Sequence, residues 1–136
     1  MSHPLSLRLP DPTLDRLGDR ARRVQLPPRT LAQRYIDEGL RQDDHPGIRF
    51  ADGPAGRRAV LVGGGDVWEV VAVVRDNDGD VAAAADYLGI EAERVQAAVA
   101  YYAEFRDEID AWIDANERET AAAHARWQAA QAAFNR

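Results

Sequence analysis

The sequence of 136 residues contains no cysteine, which excludes disulfide bonds and cysteine-ligated metal sites. It contains no apolar run near the roughly 18 residues of a membrane-spanning helix. Its start also lacks the charged and then apolar segments of a secretory signal. Lysine is absent, so all 17 basic residues are arginine, a bias that indicates no particular function. We therefore expect a cytoplasmic protein without a membrane partner.

Patterns typical of an active site are missing as well. His3, His45 and His124 are far apart in the sequence, and none is paired with a nucleophile. The acidic stretch 107–110 has the pattern of a solvated helix face, and residues 77–80 lack the later glutamate of a calcium loop. We predict that the protein is not an enzyme, with no catalytic residue, no metal site and no cofactor.

Charge is distributed unevenly along the chain. Residues 1–41 contain eight arginines and five acidic residues, a balance of +3. Residues 42–136 contain nine arginines and 18 acidic residues, a balance of −9. Because phosphates attract a basic segment, any nucleic-acid contact is expected in the first 41 residues. Chance clustering of charge on a small domain is the alternative.

Residues 1–42 have the pattern of a strand followed by two helices. Leu5–Leu9 alternates leucine with polar residues, as a strand with one apolar face does. Prolines 10 and 12 end the strand and allow a helix to begin at Asp11 or Pro12, and residues 26–28 (LPP) precede a second helix. The predicted inward-facing residues of the two helices are Leu14, Leu17, Ala21, Val24, Leu31, Tyr35, Ile36 and Leu40.

A strand of five residues cannot stand alone, because its backbone donors and acceptors would lack partners. We therefore predict a homodimer in which the strands of two copies pair antiparallel, forming a two-stranded ribbon over four helices. Ser6 and Arg8 would then lie on the outer face of the ribbon.

This segment, LSLRLPDPTLDRLGDRARRVQLPPRTLAQRYIDEGLR, resembles the ribbon–helix–helix superfamily of Arc-, MetJ- and CopG-type repressors and VapB-type antitoxins. It is similar in length, strand phase, helix spacing and the leucine-containing turn before the second helix. The resemblance implies that the ribbon enters the major groove of DNA. There Arg8 would hydrogen-bond the O6/N7 edge of guanine, and Ser6 could hydrogen-bond either base type. A dimer used only for assembly is the alternative.

The same resemblance implies a phosphate anchor at the amides that begin the second helix, at Pro28, Arg29 and Thr30. Here two consecutive prolines replace the usual Ser or Thr cap and remove two amide donors, so the Arg29 side chain would have to compensate. The candidate DNA-binding residues are therefore Ser6, Arg8, Arg29 and Thr30.

Residues 43–47 form a polar turn that predicts a linker to a second domain, residues 48–114. This domain is predicted to begin with a short β-hairpin made of residues 48–50 and 58–62. Glycines 63–65 are interpreted as a flexible joint before a helix that Asp66 caps. The apolar face of that helix is formed by Val67, Val70, Val71 and Val74.

Residues 80–104 have a helix-turn-helix pattern, with Ala85 able to pack closely, Gly89 able to adopt a left-handed turn and Val95 as the apolar anchor of the second helix. Carboxylates surround Arg94 on the outward face, and carboxylates are repelled by DNA phosphates. We therefore expect this helix pair to serve structure or partner binding rather than DNA reading.

Residues 48–114 resemble a small bacterial domain of unknown function that is linked with toxin–antitoxin operons. The resemblance is carried by three stretches, GRRAVLV, DVWEVV and LGIEAERVQAAVAYYAEFRDEIDAW. It implies, as a partner, a toxin of the PIN-like class, a metal-dependent ribonuclease.

No proline or glycine follows Glu91, so one continuous helix is predicted from 91 to 134. Its last part, residues 115–136, carries large apolar side chains at Trp127 and Phe134, which suit insertion into a groove of the toxin. Arg118, Arg126 and Arg136 lie along the same segment, and a guanidinium could neutralise the carboxylates of a PIN-type site. The alternative is a helix packed on its own dimer mate.

Together these patterns predict a mainly α fold. An N-terminal ribbon–helix–helix (1–42) precedes a small helix-turn-helix-like domain with a short β-hairpin, and a long C-terminal helix follows. The candidate toxin-binding residues are Arg118, Arg126, Trp127 and Phe134. The predicted function is that of an antitoxin that binds operator DNA and neutralises a PIN-like ribonuclease. The alternative is a stand-alone transcriptional regulator whose C-terminal region serves oligomerisation.

Overall fold

The structure is a computed structural model that describes residues 1–135. Over those residues the chain is mainly helical, with six helices and a two-stranded antiparallel sheet. It forms two compact units, the first Met1–Arg41 and the second beginning at Gln42. The elements are α1 (Asp11–Val24), α2 (Pro28–Asp44), β1 (Ile48–Ala51), β2 (Arg58–Leu61), α3 (Val67–Asp76), α4 (Val81–Leu88), α5 (Ala92–Glu104) and α6 (Arg106–Ala133).

Prolines stand at the start of both helices in the first unit, as predicted. Pro12 stands in the first turn of α1, where a missing amide donor costs nothing, and Asp11 favours the positive end of the helix dipole. At the other end Gln25 adopts a left-handed conformation with φ 58°, and the N–H of Leu26 donates to the carbonyl of Ala21 at 3.0 Å. The two following prolines then allow α2 to begin at Pro28.

The strand predicted at Leu5–Leu9 is absent from the single chain. Residues 1–10 have no regular secondary structure, and the backbone of residues 5–9 makes no hydrogen bond with another backbone group of the described chain. The physical reason is that a strand exists only with a neighbour, and no segment of the first unit offers one. Pairing with a second copy therefore stays a prediction.

The second unit begins with the predicted hairpin, in which β1 pairs antiparallel with β2 and Ile48 lies opposite Leu61. The four valines predicted for one face of α3 are all buried. Asp66 occupies the N-cap position of α3, as predicted, but its carboxylate accepts from Arg58 Nε at 2.9 Å instead of capping the helix.

Helices α4 and α5 are joined by the turn that the sequence predicted. Gly89 has φ 69°, a left-handed conformation that residues with a Cβ rarely adopt, and its N–H donates to the carbonyl of Ala85. Asp80 caps α4 by accepting from the N–H of Ala83 at 3.1 Å. Ala85 and Val95 are buried in the core of the second unit.

The continuous helix predicted from 91 to 134 is wrong, because the chain breaks at Phe105 between α5 and α6. Phe105 leaves the helical conformation, with φ −116° and ψ 46°, and its ring packs on Tyr101 at 4.6 Å between centroids. The break turns α6 so that Ile109 and Ile113 enter the core beside α3 and α5. Burial of these side chains outweighs the local helical preference of the sequence.

A polar cluster on the surface holds the first turns of α6 on α3 and α5. Arg75 of α3 donates to the Tyr102 hydroxyl at 2.6 Å and pairs with Asp110, and that hydroxyl donates to Asp110 at 2.7 Å. The hydrogen bond to Tyr102, aided by the nearby Asp110 carboxylate and opposed by burial, raises the pKa of Arg75 above its ordinary value. Arg75 therefore stays charged throughout the physiological range.

Replacing Ile113 with alanine is expected to lower the free energy of unfolding by about 2–5 kcal/mol, because the side chain is buried and a cavity would remain. Asp114→Ala is the matched control, since the neighbouring side chain is exposed and such changes stay within about 0.5 kcal/mol. Urea denaturation followed by circular dichroism measures both. Equal effects would show that α6 is not anchored through this residue.

Candidate nucleic-acid and partner interfaces

The first unit buries very little of its apolar surface. Of its apolar side chains, all of which the structure describes, only Ala21 and Leu31 are buried. The predicted inward orientation is therefore wrong for Leu14 and for most of α2 within the single chain. The large apolar residues that remain exposed are Met1, Leu5, Leu7, Leu9, Leu14, Tyr35, Ile36 and Leu40.

Part of this exposed surface forms a groove of about 600 Å³ within the first unit. Its apolar lining includes Leu7 and Leu9 of the N-terminal segment, Leu17 of α1, and Tyr35 and Ile36 of α2. Arg16, Arg20 and Arg23 of α1 also line the groove. An apolar groove bordered by arginines is suited to an apolar segment with acidic residues beside it.

The four predicted DNA-binding residues are all exposed. Ser6 and Arg8 alternate with the exposed leucines of the N-terminal segment, whereas Arg29 and Thr30 lie in the first turn of α2. The first backbone bond of α2 runs from the N–H of Leu31 to the carbonyl of Pro27 at 3.1 Å. The amides of Arg29 and Thr30 therefore precede the intrahelical bonds of α2. Within the described chain no hydrogen bond or ion pair joins Ser6 or Arg8 to Arg29 or Thr30.

Arg94, the basic residue near the start of α5, is already engaged within the second unit. Its Nη2 donates to the carbonyl of Gly64, and its Nε is buried. The exposed carboxylates of Asp86, Glu91 and Glu93 lie on the same helix pair. This surface is unfavourable for a phosphate backbone.

The C-terminal part of α6 extends beyond the core of the second unit, because each residue described after Ile113 is exposed. Trp127 is 62% exposed and Phe134 is 90% exposed, which is unusual for side chains of this size. Arg118 and Arg126 lie on the same exposed segment, and within the described chain neither forms an ion pair. Arg136 lies outside the described residues.

Sequence reasoning missed a second cavity, of about 250 Å³, in the second unit. Trp68 of α3 and Trp112 of α6 line it together with the hairpin loop 53–56, and the paired Arg58 and Asp66 lie beside them. These residues come from three separate stretches of sequence. No local pattern could have indicated that they meet.

Comparison of the chain with protein-family models, with curated proteins and with solved structures gave no match. None of the helices described here is long and apolar enough to cross a membrane. Residues 1–135 also contain no group of three or more histidine or acidic side chains arranged to hold a metal ion.

Proposed function

We propose that the protein is an antitoxin that dimerises through its N-terminal unit, binds operator DNA with the resulting ribbon, and neutralises a PIN-like ribonuclease with α6. The observation that carries the dimer and its DNA face is the exposed apolar surface of the first unit. The protein partner is supported separately by the exposed end of α6.

A unit of about 40 residues usually requires a metal, a disulfide or another chain to be stable. This chain has no cysteine, and the first unit buries two apolar side chains while exposing eight large ones. A second copy accounts for both facts, because it offers the same exposed leucines for pairing and the same apolar side chains of α2 for burial. Such self-complementarity is what a two-fold dimer requires.

Pairing of the N-terminal segments would also define the DNA-binding face. Successive side chains of a strand point to opposite faces, so burying Leu5, Leu7 and Leu9 would leave Ser6 and Arg8 on the outside. Arg8 would then bind guanine in the major groove, and Arg29 and Thr30 would contact the backbone phosphates. The net charge of +3 over residues 1–41 favours this approach.

The exposed end of α6 supports a protein partner. Trp127 and Phe134 would be the anchors in a groove of the toxin, since large aromatic side chains dominate such interfaces. Arg126 is offset by about 100° from Trp127 around the helix, so it can reach the rim of the groove while the indole is buried. There it would neutralise the metal-binding carboxylates of the ribonuclease.

The second candidate function is a stand-alone DNA-binding regulator in which α6 serves oligomerisation. It is favoured by a stripe on α6 whose members recur at spacings of three and four residues, as in paired helices. The stripe consists of Ile109, Ile113, Asn116, Thr120, Ala123, Trp127, Ala130 and Phe134. Its first two members are buried in the core of the second unit, so only the members from Asn116 onward are exposed for such pairing. A neighbouring reading frame that encodes a small ribonuclease with an acidic site would favour the antitoxin.

Arg8→Ala is expected to remove the preference of the protein for the promoter DNA upstream of its own gene. A bidentate contact with guanine contributes about 1–3 kcal/mol of discrimination, which is roughly a 5- to 150-fold change in relative affinity. The measurement is fluorescence anisotropy with promoter DNA and a scrambled duplex at one salt concentration.

Arg94→Ala is the matched control. Because Arg94 donates to the carbonyl of Gly64 within the second unit, this substitution should leave the DNA preference unchanged. If Arg94→Ala removes the preference and Arg8→Ala does not, the α4–α5 pair reads DNA and the ribbon does not.

A further inference from the structure

The cavity beside Trp68 and Trp112 is lined by a side chain with a buried donor that has no partner. That side chain is Arg58, whose Nη1 is shielded from solvent and donates no hydrogen bond within the described residues. A buried donor without an acceptor destabilises a fold, and more so when it belongs to a charged group. A ligand that brings an acceptor into the cavity would remove this cost.

The fold holds this guanidinium in place. Its Nε donates to Asp66 at 2.9 Å, and the hairpin loop 53–56 packs against its Nη1. A Cβ on Gly53 would lie 2.5 Å from Nη1, so any larger residue there would displace the guanidinium. Two backbone hydrogen bonds of 3.1 and 3.0 Å join Gly53 and Gly56 and close the loop. The unpaired donor therefore belongs to a site that is formed before a ligand binds.

The charges around this donor favour a neutral acceptor. Asp66 already neutralises Arg58, and the two side chains are only 17% and 26% exposed. A second carboxylate in the cavity would have no compensating charge, and the burial of such a charge is unfavourable. Glu119, which also lines the cavity, would repel it further. An ammonium or guanidinium group has no acceptor to offer Nη1. A carbonyl oxygen fits both conditions.

The rest of the cavity favours proline as the residue that follows this carbonyl. The apolar lining includes Trp68, Trp112, Pro54 and Ala115. Proline has no N–H, so its peptide bond brings an acceptor without a donor that would itself need a partner. Aromatic side chains are a common docking surface for proline-containing segments. The volume of about 250 Å³ is smaller than the roughly 300–1,000 Å³ of pockets for drug-sized ligands, which suits one residue.

We propose that this cavity binds one proline residue of a partner protein. The carbonyl oxygen that precedes the proline accepts from Arg58 Nη1, and the ring packs on the indoles of Trp68 and Trp112. The partner presents the proline in an extended segment, because the residue before a proline is restricted to extended conformations. No residue assigned above to DNA or ribonuclease binding lines the cavity, so this inference goes beyond the proposed function and does not rest on it.

The test uses the full-length chain with Trp127→Phe, in which Trp68 and Trp112 give the two remaining indole N–H signals in heteronuclear NMR spectra. Acetyl-Ala-Pro-Ala-amide should shift both signals in a saturable way at millimolar concentrations. Acetyl-Ala-Ala-Ala-amide, which lacks the ring, should bind about fivefold or more weakly. A thioamide before the proline should have a similar effect, because sulfur is a weaker acceptor than oxygen. Acetyl-Ala-Asp-Ala-amide should bind no better than the alanine peptide.

Two protein variants test the donor itself. Arg58→Lys keeps the charge that pairs with Asp66 but removes Nη1, so it should weaken binding of the proline peptide about fivefold or more. Arg57→Lys is the matched control, because Arg57 pairs with Asp52 outside the cavity and its replacement should leave the affinity unchanged. The indole signals of the free proteins show whether each variant keeps the fold.

Equal affinities for the proline and alanine peptides would overturn the proposal, and so would the absence of a saturable shift. Tighter binding of the aspartate peptide than of the proline peptide would overturn it as well, because the site would then select an anion. If Arg58→Lys disturbs the fold, the thioamide peptide still tests the acceptor with Arg58 unaltered, and an affinity equal to that of the normal peptide would exclude the hydrogen bond. None of these measurements involves DNA or a ribonuclease, so this proposal and the proposed function fail separately.

Discussion

Replacing Leu7 with proline is expected to convert the protein from a dimer to a monomer and to abolish its specific binding to DNA. In the single chain Leu7 is 58% exposed, and its N–H makes no hydrogen bond with another backbone group of the described residues. The substitution should therefore change the stability of an isolated chain very little. In the proposed ribbon each copy would lose the amide donor of residue 7 and part of the apolar burial of leucine, together roughly 1.5 kcal/mol or more. Because the dimer contains two copies, dissociation should be favoured about 100-fold or more.

Sedimentation velocity over a range of protein concentrations measures this change. Ser2→Pro is the matched control, because it introduces the same residue outside the predicted strand and should leave the dimer intact. A Leu7→Pro protein that remains a dimer with unaltered DNA affinity would mean that residues 5–9 form no ribbon.

The double change Trp127→Ala with Phe134→Ala is expected to abolish binding of the proposed ribonuclease partner. Large aromatic anchors contribute roughly 2 kcal/mol or more each on truncation, so together they should weaken binding about 1,000-fold. Both side chains are exposed, and the fold should therefore be unaffected. Isothermal titration calorimetry measures the affinity, and Gln128→Ala, which removes a polar side chain from the same helix, is the control.

The two arginines of this segment should separate binding from inhibition. Arg126→Ala is expected to retain much of the binding yet lose inhibition of RNA cleavage, because its charge would act at the metal-binding carboxylates. Arg118→Ala should change inhibition less, since Arg118 lies two turns further from Trp127. If deletion of residues 115–136 leaves binding and inhibition intact, α6 serves dimerisation, and residues 48–114 must provide the inhibition.

Features that depend on neighbouring residues could be predicted from the sequence. The ends of α1 and the start of α2 follow from prolines, which restrict the backbone locally. The left-handed turn at Gly89 follows from the lack of a Cβ, and the hairpin follows from two short β-prone stretches around a Gly- and Pro-containing loop. Each of these signals lies within a few residues of the structure that it specifies.

Features that depend on distant contacts could not be predicted. The break at Phe105 exists because Ile109 and Ile113 are buried against α3, and a window without Pro or Gly cannot show that competition. Asp66 has the sequence of a helix cap, but Arg58 engages its carboxylate across the hairpin. The cavity between Trp68 and Trp112 joins residues 44 positions apart in the numbering.

The predicted interfaces of the first unit are a different case. Apolar periodicity predicted burial for residues that the single chain leaves exposed, and a periodic pattern cannot say whether a covering surface would belong to the same chain. The exposed leucines of residues 5–9 and the exposed Tyr35 and Ile36 show that the first unit does not cover them itself. Whether a second copy covers these residues therefore stays a prediction.

The pairing of the N-terminal strands can be tested most directly by cross-linking, because the chain has no cysteine of its own. If residues 5–9 pair over their full length with a second copy, Leu7 lies on the two-fold axis opposite itself, with Cβ atoms about 4.5–5.5 Å apart. Leu7→Cys should then form a covalent dimer under mild oxidation, far faster than Ser2→Cys. Failure of Leu7→Cys to cross-link faster than Ser2→Cys would contradict the ribbon, and with it the proposed DNA-binding face.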